Sequence, residues 1–301
     1  MGDFVIRTTN LSKTYGKSRG IVQVNLEVPR GQVFGYLGPN GAGKTTTIRL
    51  LLDLIRPSAG YAEVLGMDAQ RQSIAIHRRV GYLPGELALY EDMSGAEFVL
   101  YLANLRGGLA WSQVESLAQR LDCNLKASIR TLSRGNKQKL GLIQALMHQP
   151  ELLILDEPTS GLDPLMQQEF YRLLTEITAE GRTVFLSSHN LPEVERTCQR
   201  VAIIREGTLI AVEEVAALKT HALRQFEVHF AQPLPAEALA NVPGLQDVVV
   251  QGNLLRCAVR GSVDGLIKAL ARYQVDSLLS HEPTLEEVFL AYYEGEKTHA
   301  A

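Results

Sequence analysis

A glycine-rich segment followed by lysine and threonine constrains this sequence more than any other feature. The segment fits the pattern G-x-x-x-x-G-K-[ST] at every fixed position, and its residues are Gly38, Pro39, Asn40, Gly41, Ala42, Gly43, Lys44 and Thr45. Glycines let the backbone adopt positive φ values and come close to a ligand, so that successive N–H groups can point at phosphate oxygens. Lys44 adds a cation for the β- and γ-phosphates, and the hydroxyl of Thr45 can ligate Mg²⁺. The segment therefore predicts a nucleotide-phosphate site.

The residues on either side of the segment have the pattern of a strand and a helix. An apolar, strand-like run precedes it at residues 32–37. Apolar residues at helical spacing follow it: Ile48, Leu51, Leu52 and Ile55. The segment would then open a helix whose N-terminal dipole faces the phosphates, with Thr46 in its first turn. A strand-to-helix turn without a ligand is the alternative, and the complete motif in this context argues against it.

Length and charge limit the possible functions. The chain has 301 residues, enough for two domains with separate cores. It carries 30 Lys and Arg against 33 Asp and Glu, which gives a net charge of −3. Because the sequence has no long basic block, we expect no nucleic-acid partner.

Hydropathy and cysteine usage indicate the compartment. No apolar run approaches the roughly 18 residues that a membrane-spanning helix needs, and residues 1–10 lack the apolar centre of a signal peptide. We therefore expect a cytoplasmic protein. Cys123, Cys198 and Cys257 match no metal or redox spacing, so we interpret them as core residues.

The first part of the chain predicts an antiparallel sheet. Alternating apolar residues indicate strands at 4–8 and 21–28. Tyr15 lies between them in a polar loop, where its ring could stack on a base. A solvent-exposed tyrosine without that role is the alternative.

The middle of the chain predicts a helical insertion within an α/β core. Apolar residues recur at helical spacing from about residue 88 to 146. The last helix of this stretch begins after Ser133, a residue type that caps helix N-termini. Ser133, Gly135 and the amides that follow would form a second anion-attracting helix start.

Two carboxylates follow a strand that reads as buried on both faces. Residues 152–155 are continuously apolar, and Asp156 and Glu157 come directly after them. In phosphate-binding NTPases the first such carboxylate helps to hold Mg²⁺ and a second can position water. An acidic surface turn is the alternative. A helix and another strand follow, which predicts a parallel sheet, and His189 lies just past that strand, where open α/β sheets place ligands.

Together these residues resemble the ATP-binding cassette (ABC) ATPases, the nucleotide-binding subunits of ABC transporters. The resemblance covers about residues 3–216, with the motifs in the family's order. It implies that Glu157 is the catalytic glutamate, that residues 160–163, ending in Asp163, are the D-loop, and that His189 is the switch histidine. It also implies that Tyr15 stacks on adenine.

The sequence departs from the family pattern at two places. The family signature L-S-G-G-Q corresponds to residues 132–136, which keep Ser133 and Gly135 but have Arg134 and Asn136. Where the family usually has a glutamine that touches Mg²⁺ or the attacking water, this chain has Gly85. Our hypothesis is that the adjacent Glu86 takes over part of the coupling function of that glutamine.

The resemblance also implies an assembly and a fold. It implies a head-to-tail homodimer in which ATP–Mg²⁺ lies between Lys44 of one subunit and Ser133 and Gly135 of the other. Closure would drive separate transmembrane permease subunits, and the ATPase would sit on the inner face of the cell membrane. The expected fold is an α/β P-loop NTPase core, residues 1–216, with an antiparallel β subdomain and a helical subdomain.

The remaining residues, 217–301, predict a small α+β domain. Their order of strands and helices resembles a ferredoxin-like βαββαβ unit, with helices at 235–240 and 263–273 and a final amphipathic helix. Residues 283–289 resemble the ending of ATPase subunits from the drug-exporter (ABC-2 type) branch of the family. We expect an accessory role in dimerisation or regulation.

Three other functions fit parts of the sequence. A soluble ABC ATPase acting on ribosomes or nucleic acid is disfavoured by the single cassette and the lack of a basic arm. A regulatory subunit that binds ATP without turnover is disfavoured by the intact Lys44, Asp156, Glu157 and His189. A P-loop kinase or GTPase would not call for the motif at residues 132–138.

Overall fold

The chain forms two compact units, residues 1–212 and residues 213–301. The computed structural model describes residues 4–16, 18–221, 223–235, 239, 242–281, 284–287 and 289. The sequence placed the end of the first domain at about residue 216, and the assignment of roles to the two domains stays a prediction.

The first unit contains two sheets. The strands that lie mainly within it are β1 (Phe4–Tyr15), β2 (Ser18–Pro29), β3 (Val33–Leu37), β4 (Ala59–Val64), β5 (Met67–Asp68), β6 (Val80–Leu83), β7 (Leu152–Asp156), β8 (Thr183–Ser188), β9 (Arg200–Arg205) and β10 (Thr208–Glu214). Its helices are α1 (Lys44–Leu51), α2 (Ser73–Arg79), α3 (Gly95–Leu105), α4 (Trp111–Arg120), α5 (Arg134–Leu146), α6 (Pro164–Ala179) and α7 (Leu191–Thr197), with a 3₁₀ turn at Ile129–Thr131.

The six-stranded sheet positions the functional residues. Its order is β10-β9-β3-β8-β7-β6, and the strands from β9 to β6 are parallel. Parallel strands buried on both faces require continuous apolar sequence, and every residue of β3, β7 and β8 is buried. Because β3, β8 and β7 are neighbours, their carboxyl ends lie at one edge of the sheet. That edge is where open α/β sheets bind ligands.

The predicted antiparallel opening is confirmed. Strands β2, β1, β4 and β5 form a four-stranded sheet in that order, and β1 pairs with β2 and β4 in antiparallel register. Its apolar face and one face of the six-stranded sheet share a core. In this core Phe185 stacks on Phe34 at 6.1 Å between ring centroids and contacts Tyr36 at 5.3 Å.

The predicted helical insertion consists of α3, α4 and α5. A capping box starts α3, since the Ser94 side chain accepts from the Glu97 amide and the Glu97 carboxylate accepts from the Ser94 amide. Ser133 caps α5, as the sequence predicted, and its hydroxyl accepts from the amide of Asn136. The helical pattern of the sequence therefore reflects three packed helices.

One sequence prediction was too long. The apolar face that was predicted to reach Ile55 is helical only to Leu51. Asp53 adopts a left-handed conformation, with φ of 54°, which ends the helix. Ile55 still packs against the core as a partly buried side chain. The spacing identified the buried residues but could not locate the end of the helix.

The second unit has its own antiparallel sheet and core. Its elements are α8 (Val215–His221), β11 (Arg224–Phe230), β12 (Leu245–Gln251), β13 (Leu254–Val259), α9 (Asp264–Leu270) and β14 (Val275–His281). The strand order β12-β13-β11-β14 with antiparallel pairing is the arrangement of the predicted βαββαβ unit. Most of the predicted helix at 235–240, and much of the final helix, lie outside the described residues.

Two further observations concern the whole described chain. Among the described residues, no helix is long and apolar enough to cross a membrane. Cys123, Cys198 and Cys257 are free and buried, which confirms their interpretation as core residues.

We expect Gly81→Ala to destabilise the first unit by about 2 kcal/mol, because a Cβ there would overlap sterically with the backbone of α5. The position of that Cβ is 2.1 Å from the carbonyl oxygen of Ala145 and 2.8 Å from Cγ of Pro150. Urea unfolding monitored by far-UV circular dichroism, which reports on both units, would measure the loss. Gly265→Ala in α9, where a Cβ meets nothing closer than 3.4 Å, is the control and should not reduce stability. Equal stability of the two variants would contradict this packing argument.

Candidate nucleotide-binding site

A cleft of about 280 Å³ lies at the carboxyl edge of the six-stranded sheet. It is lined by Tyr15, Gly20, Pro39, Asn40, Gly41, Gly43, Lys44, Thr45, Thr46, Gly85, Asp156 and Glu157. Most of the predicted site residues therefore meet in one cavity, although they come from three separate parts of the chain.

The loop between β3 and α1 requires glycine at defined positions. Gly41 and Gly43 have φ values of 81° and 110°, which residues with a Cβ rarely adopt. A Cβ on Gly43 would also lie 2.7 Å from Cγ2 of Ile21 and 3.1 Å from the carbonyl oxygen of Gly20. The loop thus lies against β2, and glycines with positive φ allow the backbone to turn successive amides toward a phosphate.

Two residues of the predicted phosphate loop, Gly38 and Ala42, pack against the end of β9 and the turn that follows it. A Cβ on Gly38 would lie 2.4 Å from the carbonyl oxygen of Ile204. Ala42 is buried; its amide donates to the carbonyl oxygen of Pro39, and its own carbonyl oxygen accepts from the amide of Gly207. Neither Gly38 nor Ala42 lines the cleft. Packing against the end of β9 and the β9–β10 turn explains why small residues occupy these two positions.

Lys44 is held above the loop that precedes it. Its side chain is only 6% exposed, and Nζ donates to the carbonyl oxygen of Gly38 at 2.6 Å and to that of Pro39 at 3.3 Å. Nζ also lies 3.3 Å from Oε1 of Glu157. A cation fixed at the mouth of the phosphate loop can neutralise the charge of a bound polyphosphate.

Thr45 and Asp156 bring two oxygen ligands together. The Thr45 hydroxyl donates to Oδ2 of Asp156 at 2.7 Å, and Asp156 is 1% exposed. The hydroxyl of Ser187 donates to the other carboxylate oxygen. Mg²⁺ prefers such hard oxygen ligands and is usually bound by one or two protein groups together with substrate phosphates. The donor set therefore fits a Mg²⁺ ion brought in with a nucleotide.

Glu157 is the second carboxylate of the cleft. Its backbone has a φ of 52°, and its amide donates to the carbonyl oxygen of Ser187 at 3.0 Å. Its Oε2 atom lies 2.7 Å from Nδ1 of His189, which must carry the hydrogen of that contact when the carboxylate is ionised. The His189 side chain is otherwise 58% exposed. Lys44, Glu157 and His189 thus form a continuous chain of polar contacts.

Tyr15 also lines the cleft. It is 46% exposed, and Nζ of Lys13 lies 5.3 Å from the centre of its ring. A Cβ on Gly20 would lie 3.0 Å from the ring, so that glycine at this position gives the tyrosine its place. An exposed aromatic face beside a phosphate loop is suited to stacking on a nucleotide base.

Besides Gly38, Ala42 and His189, three more predicted site residues do not line this cleft. Ser133 and Gly135 are at the start of α5, and Asp163 caps α6 by accepting from the amides of Leu165 and Met166 at 3.0 Å. Each of these residues is at a helix start, where anions are attracted. They could therefore contact a nucleotide only if that nucleotide were bound by another copy of the chain.

Gly85 lines the cleft, and a Cβ there would lie 3.3 Å from Oδ2 of Asp156. Glu86 is exposed and is not among the lining residues. Its proposed part in coupling stays a hypothesis.

Sequence reasoning missed several residues that support the site. Ser187 binds Asp156, and Gly20 makes room for Tyr15. Glu193 is 2% exposed and accepts from the hydroxyl of Ser188 at 2.7 Å, beside His189. A glutamate on a short helix gives no sequence signal of burial, so that only the fold reveals it.

Comparisons with known proteins agree with this geometry. The ABC transporter family matches residues 21–160. The bacitracin transport ATP-binding protein BcrA of Enterococcus faecalis is 34% identical over 259 residues, which cover 84% of each chain. The daunorubicin resistance ATP-binding protein DrrA3 of Streptomyces coeruleorubidus is 33% identical over 308 residues, which cover 96% of each chain. A solved ATP-binding subunit of an ABC transporter, 30% identical, superposes with a TM-score of 0.66 over 71% of this chain and 92% of that chain.

We expect Glu193→Gln to raise the melting temperature more at pH 8 than at pH 5. Burial raises the pKa of Glu193, and hydrogen bonds from Ser188 and Thr159 oppose this shift. A raised pKa means that the folded chain binds more protons than the unfolded one, so stability falls as the pH rises through the raised value. Glutamine carries no such penalty.

Thermal unfolding of the nucleotide-free protein at both pH values would measure this difference. Glu206→Gln, at a side chain that is 86% exposed, is the control and should have the same small effect at both. A pH-independent effect of Glu193→Gln would show that ionisation of this carboxyl does not limit stability.

Proposed function

Because this chain belongs to the family of ABC transporter ATP-binding proteins, we propose that it is the ATP-hydrolysing subunit of an exporter. The resemblance inferred from the sequence is thereby confirmed, and with it the ATPase fold. ATP is its substrate. The dimer, the membrane partner and the residue roles that follow are proposals.

One observation carries the catalytic part of the proposal. The ammonium of Lys44, the carboxylate of Glu157 and the ring of His189 lie in successive contact, 3.3 and 2.7 Å apart, at the mouth of a phosphate loop. A cation that neutralises phosphate charge and a base that positions water both assist phosphoryl transfer to water, and an imidazole can orient the base. A subunit that only bound ATP would have no need for the second and third of these groups.

The roles of the cleft residues follow from their positions. Lys44 and the loop amides would hold the β- and γ-phosphates, and Tyr15 would stack on adenine. Thr45 and Asp156 would hold Mg²⁺, which when bound neutralises charge on the phosphates. Glu157 would orient or deprotonate the attacking water, and His189 would keep Glu157 in place.

A second copy of the chain would complete each site. Ser133 and Gly135 lie at the exposed start of a long helix, outside the cleft of their own subunit. The helix dipole and unpaired amides at this position suit a phosphate brought by a partner. ATP can close such a dimer only if it makes better contacts in the closed state, and the helix start of the second subunit would supply those contacts.

The relatives suggest the cargo class and the membrane partner. Two similar proteins are named for bacitracin transport and for daunorubicin resistance. We propose that this chain drives transmembrane permease subunits that export an antibiotic or a similar drug, from the inner face of the cell membrane. The same relatives disfavour the alternative of a soluble ABC ATPase acting on nucleic acid.

We expect Glu157→Gln to lower kcat for ATP hydrolysis by roughly 100-fold or more while ATP still binds, because a positioned base contributes about that much. Lys44→Ala should instead weaken ATP binding, since the cation lies at the phosphate loop. The measurements are phosphate release and nucleotide affinity, with size-exclusion chromatography in ATP–Mg²⁺. We expect an ATP-dependent dimer of Glu157→Gln. Wild-type turnover that survives Glu157→Gln, or a monomer under all conditions, would refute the proposed mechanism.

We expect Tyr15→Ala to raise the Kd for ATP by about tenfold without affecting the affinity for inorganic triphosphate, because base stacking on an aromatic ring is worth roughly 1–3 kcal/mol. Tyr15→Phe should retain the affinity. Tyr61→Ala is a matched control, because Tyr61 is similarly exposed, at 47%, and is not among the residues that line the cleft. Equal losses from Tyr15→Ala and Tyr61→Ala would exclude a specific stacking role.

A further inference from the structure

The start of α5 is tied to the loop that carries Glu157, residues 157–163, which we call the 157–163 loop. A guanidinium nitrogen (Nη2) of Arg134 donates to the hydroxyl of Ser160 at 2.8 Å. Gln138 donates to the carbonyl oxygen of Pro158 at 2.8 Å and approaches that of Glu157 at 3.4 Å. Gly135 packs so closely that a Cβ there would lie 2.5 Å from the carbonyl oxygen of Gly161. Helix and loop therefore meet at three successive points.

The 157–163 loop is internally braced, so that a displacement of Ser160 is transmitted to Glu157. The amide of Ser160 donates to the carbonyl oxygen of Glu157 at 3.2 Å, and the amide of Leu162 donates to that of Thr159 at 3.1 Å. At the far end of the loop Asp163 caps α6. The hydroxyl of Ser160 is thus one hydrogen-bonded turn away from the backbone of Glu157.

Arg134 is distinct among these contacts because its side chain lies at the surface and carries a charge. Its stem lies along Gly161, where a Cβ would be 3.3 Å from Cγ of Arg134. Among the described residues, the ion pairs do not include Arg134. By contrast Arg130, in the 3₁₀ turn before α5, pairs with Asp92. The guanidinium of Arg134 therefore connects the helix start to the 157–163 loop.

We propose that Arg134 is a positioning residue that links the phosphate-facing start of α5 to Glu157 of the same subunit. This inference rests on the proposed dimer, in which the start of α5 binds the ATP held in the partner's cleft. Engagement of that ATP by Ser133 and Gly135 moves or fixes α5, and the bond from Arg134 to Ser160 fixes Glu157 in its own cleft. Each active site then responds to nucleotide in the other.

A direct contact of Arg134 with the partner's nucleotide makes the opposite prediction. A residue that touches ATP bound by the partner affects the site whose Glu157 belongs to the partner. A residue that acts through the 157–163 loop affects the site whose Glu157 is on its own subunit. The two roles are therefore separated by the subunit on which activity is lost.

Mixed dimers with one intact Glu157 distinguish these roles. One subunit carries Glu157→Gln, and the two subunits carry different affinity tags, so that two purification steps isolate the mixed dimer. Arg134→Ala is placed either on the subunit with intact Glu157 or on the other subunit. On the subunit with intact Glu157 we expect kcat to fall about tenfold, the effect of losing one hydrogen bond from a charged donor, with KM for ATP unchanged. On the other subunit we expect no change.

Three further variants and one control variant test the contact itself. Ser160→Ala on the subunit with intact Glu157 should reproduce the loss, and the double variant should lose no more than either single one, because both remove the same bond. Arg134→Lys, which retains a donor, should recover part of the activity. Arg130→Ala is the matched control and should leave kcat unchanged.

Three results would overturn the inference: loss when Arg134→Ala lies on the subunit without Glu157, an unchanged kcat with Arg134→Ala on either subunit, or fully multiplicative losses from Arg134→Ala and Ser160→Ala. These outcomes differ from failure of the proposed function. That failure would appear earlier, as absent turnover in the wild type or absent ATP-dependent dimers of Glu157→Gln.

Discussion

The site depends on one buried carboxylate. Asp156 ends the central strand β7 and is held by hydroxyl donors on two other elements, Thr45 at the start of α1 and Ser187 on β8. A charge that is 1% exposed costs several kcal/mol in desolvation unless it is fully paired, so these donors are required wherever the charge remains buried. The bond from Thr45 ties α1 to the end of β7 and thereby helps to place the phosphate loop. One carboxylate thus joins the fold to the expected metal site. Mg²⁺ would bind beside Thr45, where the hydroxyl and the carboxylate supply oxygen ligands.

In this structure the ionisable side chains of the cleft are in contact with one another. Lys44 lies 3.3 Å from Glu157, and Glu157 lies 2.7 Å from His189. A polyphosphate carries more negative charge than a single carboxylate, so we expect an incoming γ-phosphate to compete with Glu157 for the ammonium. Glu157 would then turn from a partner of Lys44 into a base free to act on water, still oriented by His189. Nucleotide binding and the readiness of the base would be coupled by this competition alone, without movement of the backbone.

The sequence was sufficient for the parts that depend on periodicity and motif spacing. A continuous apolar run predicted β7, helical spacing predicted α3 to α6, and the glycine-lysine-threonine pattern predicted the phosphate loop. It was insufficient where tertiary contacts decide. The end of α1 depends on the left-handed Asp53, whose neighbours form an apolar pattern that continues to Ile55. Gly20 is required by the ring of Tyr15, and Ser187 by the charge of Asp156, so neither has a local sequence signal. Burial of Glu193 likewise becomes visible only when α7 packs beside β8.

Packing at the start of α5 explains which residues of the usual signature this chain keeps and which it replaces. Gly135 meets the backbone of the 157–163 loop, and any side chain there would overlap Gly161, so this glycine is fixed by packing. Ser133 is fixed by capping, because its hydroxyl accepts from the amide of Asn136. The side chain of Arg134 lies on the surface and that of Asn136 is half-buried, and the anion-attracting element is the backbone of the helix start rather than either side chain. Replacement of glycine at 134 therefore leaves the phosphate-facing amides in place while adding a guanidinium that reaches Ser160. On the proposed assignment, the substitution would change how firmly the helix holds the 157–163 loop, while the helix start would keep its ability to meet a phosphate.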